Sequence, residues 1–266
     1  MRTTIHLAFV SLLLCFSVPI ASNANILHKQ GQVAFVQKRE SLKKIANRSQ
    51  IVLVASSGRS GSTMLSNQLT NYIPFENIYK THLLPPNKKF KGKILFIYSN
   101  PDKAAESALY LSLHNKSFAR MHFLNVETSD KAWLEKIGGS CQYQTLEENM
   151  LTHDAFGTYE QLNAWLHTQT VPANPGEGNI LAIKFENIWD KEVLREIRNF
   201  LDLPNFKLPK QRQRGKSDSS LFSNEKKFRK HHNLGTRDKP RYAAYDDARI
   251  LWEQAPSFIY LNPRGQ

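Results

Sequence analysis

The sequence predicts an α/β protein of three layers, with a central parallel sheet between two layers of helices. Three observations predict it. Ile51–Ala55, Lys93–Tyr98 ("KILFIY") and Ile180–Phe185 ("ILAIKF") are short apolar runs of the kind buried on both faces of a sheet. The segments between them carry helical spacing, and such alternation of strand and helix builds a parallel sheet. The first run also ends in "ASSGRSGSTML", Ala55 to Leu65, which has the strand–turn–helix order of a phosphate-binding loop.

In chain order, Glu40 to Ala46 is helix-like, and Ile51 to Ala55 is the first strand. Ser60 to Thr70 reads as a helix with Met64, Leu65 and Leu69 on one side. Asn77 to Thr81 is a second extended piece and Lys93 to Tyr98 a third. Pro101 opens a helix running to about Leu113. Trp133–Ile137, Thr145–Leu151 and Asp154–His167 are helical, with Gly138-Gly139 breaking the first from the second. Val171 to Asn179 is a Pro/Gly loop, and Ile180 to Phe185 is the fourth strand. Lys191 to Leu203 is a helix with Leu194, Ile197 and Leu201 inward, stopped by Pro204. Lys207 to Arg241 is dense in Lys, Arg, Ser and His and reads as a long basic loop, either a solvated surface or a lid over an anion. Tyr245 to Glu253 is a last helix.

The chain has 266 residues with a formal charge of +13, so its partners are expected to be anionic. Residues 1–24 have the three parts of a secretory signal: Arg2, an apolar stretch from Ile5 to Ile20, and small residues at Ser22 and Ala24. The apolar stretch is short for a membrane span and contains Pro19, so cleavage after Ala24 is favoured over a retained anchor. Residues 25–266 then form one domain. Cleavage removes Cys15 and leaves Cys141 as the one cysteine, which rules out an intrachain disulfide and reads as a small buried residue. The expected location is the secretory pathway or outside the cell, or the periplasm in a bacterial host. A membrane contact is expected only if the N-terminal segment is retained. Asn47-Arg48-Ser49 and Asn115-Lys116-Ser117 match the glycosylation acceptor pattern, a short pattern with many chance matches.

The chemistry concentrates in the Gly/Ser turn. A helix start offers unpaired backbone N–H groups and a positive dipole end. Gly58 and Gly61 allow a close backbone approach to an anion, Ser62 and Thr63 add hydroxyl donors, and Arg59 adds a fixed charge. Ser62 stands where the Gly-Lys-Ser/Thr pattern of nucleoside-triphosphate loops has its lysine, which disfavours magnesium-dependent triphosphate hydrolysis. "YKTHLLPP", Tyr79 to Pro86, follows at the end of the second extended piece, where side chains face the ligand crevice of a parallel sheet. His82 there suits a general base and Lys80 a stabiliser of negative charge.

Together these stretches resemble the sulfotransferases, which use 3′-phosphoadenosine 5′-phosphosulfate as donor. The family's Lys/Arg-Ser-Gly-Ser/Thr-Thr loop appears as Arg59-Ser60-Gly61-Ser62-Thr63, and its Lys-Thr-His as Lys80-Thr81-His82. A third element, "YSNPDKAAES", puts Pro101 and Ser107 in register, but Ser99 stands where the family has an arginine for the donor's 3′-phosphate. "IKFENI" with "IRNFLDLP" is similar to a fourth element. "RQRGKSD" loosely matches the family's closing Arg-Lys-Gly, with Arg214, Gly215 and Lys216 as candidates. The resemblance spans about residues 50–220 and rests on the order and spacing of short motifs.

The resemblance implies a P-loop-like fold and transfer of a sulfuryl group to a hydroxyl or amine without a metal. His82 would act as base, and Arg59 and Lys80 would offset charge. Arg59 to Thr63, Ser107 and the Arg214–Lys216 group would hold the donor. No metal cluster is expected, since the nearest candidate, His231-His232, lies in a basic run. The acceptor is expected to be an acidic glycan or another exported molecule. A non-catalytic domain of the same shape that binds an anionic glycan or nucleotide is the alternative, supported by Ser99. A triphosphate enzyme lacks its lysine, and no base-stacking aromatic pattern supports a nucleic-acid binder.

Overall fold

In a computed structural model, the residues described are 33–36, 39–86, 90–114, 154, 157–211, 230, 235–236 and 239–264. The signal segment, the 133–137 and 145–151 helices, Cys141, His231-His232 and residues 212–216 lie outside them.

Seven strands form one mixed sheet: β1 (Ala34–Val36), β2 (Val52–Ser56), β3 (Ile78–Thr81), β4 (Lys93–Tyr98), β5 (Thr170–Pro172), β6 (Ile180–Lys184) and β7 (Phe258–Pro263), in the order β1-β3-β2-β4-β6-β7-β5. The first five in that order run parallel. β7 is antiparallel to both β6 and β5. The sheet is therefore mixed where the sequence implies a parallel one. β7 follows helix-bearing sequence yet enters beside β6 in the opposite sense, which an apolar run cannot reveal. β5 also takes the first residues of the expected Pro/Gly loop.

Alternation along the buried strands gives two cores. Leu53, Ala55, Ile94, Phe96, Tyr98, Ile180 and Ala182 face one side, while Val52, Val54, Leu95, Ile97, Leu181 and Ile183 face the other. The helices are α1 (Arg39–Ile45), α2 (Ser62–Leu69), α3 (Pro101–His114), α4 (Thr158–Asn163), α5 (Lys191–Leu201) and α6 (Asp246–Gln254). The first core takes Leu42 and Ile45 of α1, Leu162 of α4, and Ala248 of α6. The second takes Leu65 and Leu69 of α2, and Val193, Ile197, Phe200 and Leu201 of α5. This is a three-layer α/β/α architecture. The expected helix over Asp154–His167 appears as α4 followed by a wider π turn, Ala164–Thr168. That turn delivers Trp165 to the sheet, where it stacks on Phe96 with centroids 4.7 Å apart.

α3 is started by its own sequence. The Asn100 side-chain oxygen accepts the Lys103 backbone N–H at 3.0 Å, and Pro101 takes the first helical position. Asp102, 1% exposed, accepts bonds from the Tyr242 backbone N–H at 2.7 Å and from Arg249 at 2.6 and 2.8 Å. The pair ties α6 to the first turn of α3. The Asp102 bonds, the largest cause, hold the Arg249 guanidinium above its usual range.

Two stability changes follow. Phe96→Ala removes a fully buried ring and its stacking partner, and should cost about 3–5 kcal/mol in denaturant unfolding. Asp102→Asn removes the buried charge that accepts from Arg249, leaves the half-buried guanidinium to Asp246 and should cost about 1–3 kcal/mol in the same measurement.

Candidate active site

Strands β2, β3, β4 and β6 end at one edge of the sheet, at Ser56, Thr81, Tyr98 and Lys184, with Ala55 paired to Thr81, Ser56 to Ile97 and Tyr98 to Lys184. From β2 the chain passes to β3 on one side and then to β4 on the other. A crevice opens at such a switch point, and ligands bind there.

The loop after β2 lies in that crevice. Gly58, Arg59 and Gly61 all take positive φ, of 88°, 51° and 79°. The Ser60 hydroxyl donates to the Gly58 carbonyl at 2.9 Å and steadies the turn. α2 then starts at Ser62 with Gly61 at its cap and no side-chain cap, so its first N–H groups face the crevice without an intrahelical acceptor. A Cβ on Gly61 would lie 2.1 Å from the Phe185 ring. Gly61 is thus required twice, for its left-handed backbone and for the aromatic ring against it.

β3 delivers the second group of residues. Lys80 and Val54 are register partners on the face that carries α2. The Lys80 ammonium donates to Thr63 Oγ1 at 2.8 Å, joining the end of β3 to the start of α2. Burial first, and the Arg59 charge second, hold Lys80 below the usual lysine range. A lysine so placed is a better proton donor toward an oxygen that gains charge.

Thr81 points to the opposite face, where it accepts the Leu83 N–H at 3.0 Å and donates to the Val36 carbonyl at 2.9 Å. This turns the chain so that His82 comes back over the loop. Gln161 of α4 donates to the His82 carbonyl at 2.6 Å and Trp165 to the Leu83 carbonyl at 3.3 Å. His82 Nδ1 lies 2.8 Å from the Ser56 carbonyl and 3.0 Å from the Ser56 hydroxyl. A carbonyl only accepts, so Nδ1 carries the proton and Nε2 holds the lone pair, the form a general base needs. Burial pushes the imidazole from 6.5 down to about 4; the Ser56 carbonyl opposes this, and the Lys80 and Arg59 charges add to it. His82 is neutral at pH 7.

Arg59 leaves the loop in the other direction. Its Nε and Nη2 both donate to Ser107 Oγ, at 3.2 and 3.0 Å. This is the edge of a cleft of about 390 Å3, lined among others by Arg59, Ser99, Lys103, Phe185, Glu186 and Gln211. Ser99 is 4% exposed and its hydroxyl has no hydrogen-bond partner among the described residues; the same holds for Ser57 in the loop. Orphaned buried donors around a loop of unused N–H groups fit an oxyanion ligand. The described cations on this cleft are Arg59 and Lys103. Arg214, Gly215 and Lys216 lie outside the described residues. Among the described residues, no group of three or more His, Cys, Asp or Glu is placed to hold a metal ion, and no helix is long and apolar enough to cross a membrane.

The structure thus brings Arg59 to Thr63, Lys80, His82 and Ser107 to one edge. Three further residues there escape the sequence reading. Phe35 of β1 packs edge-on against His82, centroids 5.1 Å apart, with the Lys80 ammonium 5.8 Å from its ring centroid. Phe185 closes on Gly61, and Ser56 holds the imidazole. Phe185 has a local signal, being the first residue past a buried strand. Phe35 has none, because β1 is only three residues long.

Gly61→Ala should lower the melting temperature and abolish anion binding, measured by calorimetry with adenosine 3′,5′-bisphosphate. Adding Phe185→Ala should recover part of the stability, since it removes the clash and leaves only the backbone strain. The native His82 binds its proton more weakly than the unfolded chain does. Its contribution to stability is therefore complete above pH 6.5 and is lost as pH falls toward about 4. Urea unfolding at pH 4 and pH 7 should show a smaller loss in His82→Gln than in the parent chain.

The solved structure of the mouse sulfotransferase SULT7A1, complexed with PAP, is similar to this chain, with 16% identity and a TM-score of 0.43 over 87% of this chain and 100% of that one. No protein-family model and no curated protein matches the chain.

Proposed function

We propose that the protein is a sulfotransferase that moves a sulfuryl group from 3′-phosphoadenosine 5′-phosphosulfate to an acceptor hydroxyl or amine. The observation that carries the reading is the meeting of three functions at one edge: the N–H-lined loop, the Lys80 ammonium on Thr63 at 2.8 Å, and a neutral His82 oriented through Nδ1. The loop N–H groups with Ser60, Ser62 and Thr63 hold the 5′-phosphosulfate. The acceptor oxygen forms a bond to sulfur as the bond from sulfur to the bridging oxygen breaks. His82 Nε2 takes the acceptor's proton. The bridging oxygen keeps the bonding electron pair, and Lys80 and Arg59 stabilise the charge that develops there. The donor's nucleoside end lies in the cleft beside Phe185, with Ser107 and Arg59 at its rim. The chain's formal charge of +13 favours an acidic acceptor such as a carboxylated or sulfated glycan, and its first 24 residues favour export.

A second reading, a non-catalytic domain that binds an anionic glycan or nucleotide, is favoured by Ser99, which brings no charge to the cleft. Transfer of labelled sulfate from the donor to a panel of glycans and phenols separates the two. Turnover is expected; glycan binding with no turnover on any acceptor would sink the enzyme reading. His82→Ala should lower transfer by about 100-fold or more, the scale of a lost general base, and leave bisphosphate affinity nearly intact. Arg59→Ala should weaken both, and an unchanged affinity would remove Arg59 from the donor site.

A further inference from the structure

The loop and the imidazole are joined by a chain of hydrogen bonds through Ser56, a residue of the loop stretch to which the sequence assigns no role. Ser56 is the last residue of β2 and is fully buried. Its carbonyl accepts from His82 Nδ1 at 2.8 Å, and its hydroxyl oxygen is 3.0 Å from the same nitrogen. That hydroxyl donates in turn to Ser62 Oγ at 3.1 Å, and Ser62 is the first residue of α2. With Nδ1 protonated and the Ser56 hydroxyl donating to Ser62, the protons run in one direction. The imidazole N–H points at Ser56, the Ser56 hydroxyl points at Ser62, and the Ser62 hydroxyl is left to point at whatever anion the loop holds. The Gly58 N–H, 3.4 Å from Ser56 Oγ, reinforces the acceptor role of that oxygen.

We propose that Ser56 is a positioning residue whose hydroxyl couples occupancy of the anion loop to the strength with which His82 Nε2 accepts a proton. An anion docked at Ser62 orients that hydroxyl outward, which orients the Ser56 hydroxyl toward Ser62 and leaves the Ser56 oxygen facing Nδ1–H. Each bond of such a chain polarises the next. The Ser56 carbonyl fixes the tautomer, and donor binding raises the affinity of Nε2 for the proton. The reverse arrangement, with the Ser56 hydroxyl donating to Nδ1, would set a bare Nδ1 against that carbonyl and is excluded by it. The charged groups that face His82 among the described residues are Lys80 from β3 and Arg59 from the loop; Phe35 of β1 and Gln161 of α4 are neutral. The negative charge of the ligand is what the imidazole senses, through space and along the chain of hydroxyls.

The proposal rests on His82 as the base, and its test reads the imidazole directly rather than turnover. Nitrogen NMR of His82 in the full chain, with and without inorganic sulfate, reports the tautomer and the titration midpoint. The expected result is an Nδ1–H imidazole whose midpoint rises on adding sulfate. In Ser56→Ala, which keeps the carbonyl and removes the hydroxyl, the imidazole should stay Nδ1–H, held by the carbonyl, and the sulfate-linked rise should shrink. Ser56→Gly should behave like Ser56→Ala, and Ser56→Thr should restore the parent response. With donor and acceptor present, Ser56→Ala should lower kcat about five- to tenfold, the scale of one lost hydrogen bond, with the donor KM within about twofold. An Nε2–H imidazole in the parent chain overturns the proposal, and so does a Ser56→Ala protein with the parent's sulfate response. If the NMR result holds but no acceptor is ever sulfated, the coupling stands and the sulfotransferase reading falls.

Discussion

Between Ser56 and Ser62 the backbone takes left-handed steps at Gly58, Arg59 and Gly61, and the arrangement of the whole crevice depends on that turn. Two of the steps are glycines and cost little. The third is an arginine at φ 51°, a conformation that ordinarily costs an L-residue about 1–2 kcal/mol. The turn places the Arg59 guanidinium over Ser107 of α3 while the N–H groups of α2 stay aimed at the crevice. A right-handed path through the same residues would continue the helix backwards and bury those donors. The Phe185 ring on Gly61 makes the turn a contact between β2 and β6, so the loop is held by the sheet and not by its own bonds alone.

His82 is held on the other side of the loop by equally indirect means. His82 lies just beyond β3, in backbone with no strand partner, and is fixed by Thr81 below it, by Gln161 and Trp165 behind it, and by Ser56 in front. Its low proton affinity comes chiefly from removal from water, with two cations adding to it. One distribution of charge therefore keeps the imidazole neutral and makes the crevice beside it attractive to an anion.

How far the sequence showed this depended on the range of each interaction. β4 was legible to the residue because five consecutive apolar positions after Lys93, buried on alternating faces, leave no other reading. Thr63, Lys80 and His82 were legible as chemistry because loop and strand end are each local. β1, β5 and the antiparallel placing of β7 were not, since three residues carry too little pattern and strand direction is decided by distant partners. The contacts that complete the site have the same origin. Phe35 to His82, Phe185 to Gly61 and Arg59 to Ser107 each join segments remote in sequence, and no spacing rule links them.

β7 lies in the interior of the sheet, between β6 and β5, although it follows every other described strand in the chain. Until it is placed, β6 presents an unpaired edge, and the carbonyls and N–H groups of Ile180–Ile183 await Phe258–Leu261. The sheet therefore cannot be assembled by adding strands in chain order. β5 precedes β6 in the chain, yet it joins the sheet only through a strand that comes after both. The five parallel strands can form one unit, and the docking of β5 is a later event that waits on β7.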